Sequence, residues 1–334
     1  MNYQGWRNPN RTYLKDVVPL STPYNLYVET SSVCNFRCIY CGHDKYAKEN
    51  PTGNMSKEIF SKIVEQCKAF PKKLKLMDMF WYGEPLCNPK LADMIAEAKS
   101  ADIAECIGFT TNGVLLNKEI INRLIVSGVD VIRISLQGLD VEKYESTCGC
   151  KIDVDKFRDN LKYLYDHRGQ CKVKIKIADI SLRDMKNGEE RFYDMFGGIC
   201  DAIFVEHILP MYKDIDYEAI NSNIVENKIN GRYGYQQNKV NKVCYRPFMK
   251  MAVRFDGTVT AACCDMSHEV VFGNIRDHTL NDIWNGESHR NFLRMQLQGK
   301  RFLHEICKNC CIPNDLSFKE DYLDPYADEL LKRF

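Results

Sequence analysis

The chain has 334 residues, 45% hydrophobic and 27% charged, with a formal net charge of +1. Such a length buries a sizeable core unaided, and the balanced charge gives no electrostatic case for a nucleic-acid or anionic-membrane partner. No apolar run reaches the roughly 20 residues of a spanning helix, and the N-terminus lacks an apolar signal core, so a cytoplasmic protein is expected. The outlying number is 16 cysteines. In a chain of this size without an export signal they point to metal or redox chemistry rather than disulfides. Cys67, Cys87, Cys106 and Cys171 stand isolated and are expected to behave as small core hydrophobes.

In chain order, NLYVETS at 25–31 is a predicted strand, and SKEIFSKIVEQCKAF at 56–70 a helix with Ser56 as N-cap. LKLMDMFWYG at 74–83 is a second strand, PKLADMIAEAKS at 89–100 a helix, and ECIGFTT at 105–111 a third strand. NKEIINRLIVSG at 117–128 is a helix closed by Gly128, and VDVIRISLQG at 129–138 a fourth strand. A helix at 154–167, a strand at 171–180, a helix at 189–199 and a strand at 201–209 follow. Six β-α alternations imply a parallel sheet with helical crossovers, and the apolar runs suggest strands buried on both faces. Six units fall short of a closed eightfold barrel. The expected fold class is therefore α/β, a partial (β/α)6 TIM barrel with its site at the carboxyl ends of the strands, followed by a small α+β domain.

The expected partition is an N-terminal extension at 1–21, the partial barrel at 22–210 and a polar bridging region at 211–243. A cysteine-bearing domain at 244–312 and a charged tail at 313–334 complete it. In the cysteine-bearing domain, Asp256-Gly257 between two strand-like runs marks a hairpin, and Thr279 precedes a helical stretch.

CNFRCIYC at 34–41 places Cys34, Cys38 and Cys41 just after the first strand. Three thiolates on a four-iron cube leave one iron open to chelate a small molecule. The alternative is structural zinc with His43 as fourth ligand. The motif, with an aromatic before its last cysteine, resembles the signature of the radical S-adenosylmethionine (radical SAM) superfamily. The resemblance implies a [4Fe–4S] cluster whose open iron binds S-adenosylmethionine and which yields a 5′-deoxyadenosyl radical on reduction. WYGEPL resembles the family's glycine-glycine-glutamate motif, with Tyr82 in place of the first glycine. Gly83 would then allow close backbone approach and Glu84 would accept from the cofactor's amino group. TTNG, containing Asn112, closes the third strand as in many relatives. Ser135 and Gln137 occupy positions that resemble ribose and carboxylate contacts, with core hydrogen bonding as the alternative. Tyr40 would lie near the adenine.

The C-terminal cysteines resemble the auxiliary-cluster domain of the same superfamily, the single-cluster twitch form more than the full SPASM form. The implied ligands of an auxiliary [4Fe–4S] cluster are Cys244, one of Cys263 and Cys264, Cys307 and Cys310. Strand parity favours Cys264; a one-residue bulge would favour Cys263. Structural zinc is again the alternative.

Relatives with one auxiliary cluster begin by removing a carbon-bound hydrogen. An epimerase then needs a thiol donor on the opposite face, whereas a dehydrogenase needs a base and an electron acceptor. Cys148 and Cys150, flanking Gly149 in an expected flexible loop, are the candidate donors. Glu206 and His207 are the candidate base or hydroxyl-binding pair. The expectation is a carbohydrate or polyol epimerase acting on a small molecule or glycan. The alternatives are a dehydrogenase of a sugar or aminocyclitol alcohol and a ribosomal-peptide maturase. A low-potential reductant such as flavodoxin or ferredoxin is the expected protein partner.

Overall fold

The computed structural model describes residues 11–212, 215–220, 240–262, 265, 269–314 and 318–334. Most of the expected bridging region therefore lies outside the described residues. The centre is a nine-stranded sheet in the order β6-β5-β4-β3-β2-β1-β7-β8-β9. Strands β1 (Asn25–Val28), β2 (Leu76–Asp78), β3 (Ile107–Thr111), β4 (Val131–Leu136), β5 (Lys172–Ala178) and β6 (Ala202–Glu206) run parallel in sequence order. This is the open, partial (β/α)6 arrangement. The C-terminal strands extend the same sheet: β7 (Lys250–Val253) pairs parallel with β1, and β8 (Thr258–Thr260) and β9 (Val271–Asn274) follow antiparallel.

A short α1 (Leu14–Val17) precedes the sheet. The crossover helices are α3 (Lys57–Lys68), α4 (Leu91–Ser100), α5 (Lys118–Val126), α7 (Val154–His167) and α8 (Gly188–Phe196). Their starts follow the capping chemistry. Ser56 accepts from Ile59 N at 3.2 Å, Asn117 from Ile120 N at 2.9 Å and Asp153 from Lys156 N at 3.0 Å. Two helices between the barrel strands were not expected: α2 (His43–Glu49), directly after the cysteine loop, and α6 (Val141–Cys148). Asp140 caps α6 through Lys143 N at 2.9 Å, and Gly149 ends it in the left-handed region at φ 71°.

The strands differ from the expectation in one instructive way. Only one sheet face is apolar: Leu26, Met77, Phe109, Ile132, Ile134, Ile175 and Ile203 pack there against the helices. Period-two alternation turns the intervening residues to the other face. The registers Tyr27↔Asp78, Arg133↔Lys174 and Ser135↔Lys176 align polar groups there. Arg133 pairs with Asp78 at 2.8 Å, and Asn25 donates to the same carboxylate at 3.0 Å. The concave side of the sheet is thus a polar chamber.

Asp78 is 5% exposed at its side chain, so its loss would strand the Arg133 guanidinium. Asp78→Ala is expected to lose about 3–5 kcal/mol in chemical denaturation. A loss under about 1 kcal/mol, typical of surface pairs, would show that the chamber solvates the guanidinium itself.

Candidate functional site

The cysteine loop leaves β1 at the carboxyl end of the sheet and is held from both sides. Arg37 N and Ile39 N donate to the carbonyls of Cys148 and Thr147 at the end of α6, at 3.0 and 2.9 Å. His43, the first residue of α2, is buried and its Nε2 donates to Ser32 O at 2.8 Å. That bond fixes the ring and leaves Nδ1 as its acceptor nitrogen. Among the described residues no three Cys, His, Asp or Glu side chains converge as one metal ion requires.

Burial pushes the Cys34 thiol up to about 12 and raises Cys38 and Cys41 as well, and neighbouring thiols add to the rise at Cys34 and Cys38. The loop nonetheless supplies donors to its sulfurs. Phe36 N reaches Cys34 Sγ at 3.4 Å, and the His43 amide lowers Cys41. Grouped thiols with backbone N–H donors suit a cube, whose binding deprotonates them.

Gly83 lies against the chain entering this loop. A Cβ there would sit 2.3 Å from Ser31 O and 2.7 Å from Val33 O. The contact lets Glu84 N donate to Val33 O at 2.8 Å. The Glu84 carboxylate is buried and accepts from Leu86 N at 2.9 Å, Thr111 Oγ1 at 2.6 Å and Asn112 N at 2.8 Å. Burial pushes it up to about 7 against those donors. Three donors leave one lone-pair direction of the carboxylate open. Asn112 also donates to Asn35 Oδ1 at 2.8 Å, which ties the third strand to the cysteine loop. Tyr82 packs its ring between Trp81 and Tyr46. Tyr40 donates to Gln137 Oε1, and Gln137 Nε2 donates to Ser135 O at 3.2 Å. Ser135, on β4, lies on the chamber face.

Both spare cysteines follow the fourth strand as expected, but only Cys150 lies in a loop. Cys148 is no loop residue: it ends α6, is fully buried, and donates to Tyr144 O at 3.0 Å. Cys150 is half-buried and donates to Asn35 O at 3.4 Å. Both therefore lie against the cysteine loop itself. Cys87, expected to be a plain core residue, also borders it: the Asn35 amide donates to its sulfur, and it neighbours Cys34. At the far strand ends, Glu206 is buried and ion-paired with Lys176. His207 Nδ1 meets Asp179 Oδ2 at 2.9 Å, and that contact raises its pKa. Lys176 and Asp179 were not singled out from the sequence, although both lie on or just past a predicted strand.

In the C-terminal region, Cys244, Cys307 and Cys310 line one cavity. Burial pushes the Cys244 thiol up to about 11 and Cys307 up to about 12, and the thiols raise one another further. Cys263 and Cys264 lie outside the described residues. Ala262, the last described residue before them, has φ 50°. The register irregularity opposite β8 adds a residue to β9 and leaves β8 regular.

Residues 28–177 match the Radical SAM superfamily, and residues 244–311 match the SPASM iron–sulfur cluster-binding domain. The chain belongs to the radical SAM superfamily. It is 28% identical to the tungsten-containing aldehyde ferredoxin oxidoreductase cofactor-modifying protein of Pyrococcus furiosus, over 91% of this chain and 92% of the relative. It is 25% identical to the S-adenosyl-L-methionine-dependent 2-deoxy-scyllo-inosamine dehydrogenase of Niallia circulans, over 85% of this chain and 90% of the relative. The crystal structure of BtrN in complex with AdoMet and 2-DOIA shares the fold, with a TM-score of 0.53 and 20% identity, over 86% of this chain and 92% of that one. The radical SAM protein takes a [4Fe–4S] cluster, S-adenosylmethionine and an auxiliary iron–sulfur cluster. No helix among the described residues is long and apolar enough to cross a membrane.

Gly83→Ala is expected to push the cysteine loop away, because the clash is with backbone atoms. After anaerobic reconstitution the variant should hold about four irons per chain instead of about eight. A full complement of iron would show that the loop absorbs the added methyl group.

Proposed function

We propose that this radical SAM enzyme oxidises a hydroxyl-bearing carbon of a polar small molecule, a polyol, sugar or aminocyclitol. The observation that carries this reading is the position of Cys148 and Cys150 against the cysteine loop, the segment that would hold the first cluster. A thiol that completes an inversion must approach from the opposite face. The polar chamber and the similarity to the scyllo-inosamine dehydrogenase also favour oxidation over epimerisation.

Cys34, Cys38 and Cys41 would hold the first cluster, and Cys244, Cys307, Cys310 and one of Cys263 and Cys264 the second. When bound, the first cluster and its S-adenosylmethionine supply the radical that takes the carbon-bound hydrogen, and the second offers an electron acceptor. Glu84, with one acceptor direction open, would hold the cofactor's ammonium group. Tyr40, Gln137 and Ser135, linked by hydrogen bonds, would contact the rest of the cofactor. Glu206, oriented by Lys176, takes the hydroxyl proton of the substrate. His207, biased toward imidazolium by Asp179, binds a neighbouring hydroxyl. An external flavodoxin or ferredoxin would supply the starting electron.

Oxidation and inversion leave different isotopic records. In deuterium oxide, an inverted product carries one solvent deuterium at the reacting carbon, whereas a ketone has no hydrogen at that carbon. Cys148→Ala and Cys150→Ala should each keep more than about half of the turnover, whereas Glu206→Gln should lose roughly 100-fold, within the range of general-base catalysis. Deuterium at an inverted carbon, abolished by either cysteine substitution, would establish the epimerase instead.

A further inference from the structure

Beside the second cysteine group stands a charge that no described carboxylate balances. Arg301 is among the largest fully buried side chains, 1% exposed, and among the described residues no carboxylate pairs with it. Its Nε donates to Asn241 O at 3.0 Å, and its Nη1 to Cys307 O at 2.9 Å and Cys310 O at 3.3 Å. Carbonyl dipoles accept from its Nε and Nη1 but carry no net charge. An uncompensated buried ion costs several kcal/mol, about as much as a whole domain's margin can bear. The groups that can carry the opposing charge are the sulfurs of Cys244, Cys307 and Cys310, which line the same cavity as Arg301. Gln296, with no exposed surface, bridges Cys244 and Cys307. Its Oε1 accepts from Cys244 N at 3.2 Å, and its Nε2 donates to Cys307 Sγ at 3.7 Å.

We infer that Arg301 is the built-in counter-charge of the auxiliary cluster and, with Gln296, a positioning residue that fixes the Cys307–Cys310 turn and sets that cluster's reduction potential. A positive charge beside the cluster favours its reduced, more negative form, so Arg301 raises the potential. Gln296 acts in the same sense, since an N–H donor to a ligand sulfur stabilises added electron density. In an oxidation, this makes the second cluster a better acceptor of the substrate's electron. The inference rests on family membership, not on the reaction proposed above. Its test uses no substrate, so its failure leaves that reading standing.

The test reads the second cluster alone, in the full-length chain with Cys34, Cys38 and Cys41 replaced by Ala. Iron content, the electron paramagnetic resonance midpoint potential and the rate of iron loss to a chelator are measured for this parent, Arg301→Gln and Arg301→Lys. Arg301→Gln should move the midpoint to a more negative potential. Arg301→Lys keeps the charge but not the three-way grip, so its midpoint should stay nearer the parent's while iron loss accelerates severalfold. A fully loaded Arg301→Gln with the parent's midpoint overturns the counter-charge. An Arg301→Lys protein with the parent's chelation rate overturns the positioning role. Should Arg301→Gln be insoluble, Arg301→Lys decides: faster iron loss supports the inference, and parental values of both quantities overturn it.

Discussion

The close approach of Gly83 to the chain at Ser31–Val33 is the contact on which the rest of the site depends. It lets two stretches of backbone from adjacent strands lie against each other where any side chain would intrude. From it follows the bond between Glu84 N and Val33 O, which sets the carboxylate beside the cysteine loop. Thr111 and Asn112 then reach that carboxylate from the next strand, and Asn112 returns to Asn35 in the loop. Three consecutive strand ends are thereby locked into one polar cradle. The cradle tolerates a buried carboxylate only because it surrounds it with donors.

The second organising feature is the continuity of the sheet. Strand β7 pairs with β1 along all four of its residues, so the C-terminal cysteines are anchored to the same strand that leads into the first cysteine loop. Contacts outside the sheet reinforce this. Gln66 of α3 donates to Ile275 O at 3.1 Å, and Trp284 donates to Leu20 O at 2.7 Å. Inside, Arg254 lies 3.7 Å from the buried Glu29 and donates to Tyr46 of α2 at 2.6 Å. The two cysteine groups are thus tied to one continuous sheet.

Much of this was legible in the sequence because the informative residues are close together in the chain. The cysteine spacing, the glycine-glutamate pair after a strand and the Thr279 cap are local patterns, and Thr279 with Asp282 does form the reciprocal capping box. The strand face was harder. Lys172, Lys174 and Lys176 alternate with Val173, Ile175 and Ile177, a two-faced pattern that the expectation of full burial overrode. Helix α6 was missed although Asp140 and Gly149 are ordinary start and stop signals; attention to the two cysteines made the segment read as a loop. Arg301 left no signal at all. Its role depends on carbonyls 6, 9 and 60 residues away, a convergence only the fold creates.

The account stands most directly on the division of labour between the two cysteine groups. The decisive measurement is dithionite-dependent formation of 5′-deoxyadenosine from S-adenosylmethionine, made anaerobically on the reconstituted chain and on two triple variants. Replacing Cys34, Cys38 and Cys41 by Ala should abolish it while the second cluster remains visible by electron paramagnetic resonance. Replacing Cys244, Cys307 and Cys310 by Ala should leave uncoupled cleavage at a measurable level. Cleavage that survives the first set of substitutions, or depends wholly on cysteines of the second set, would contradict the assignment.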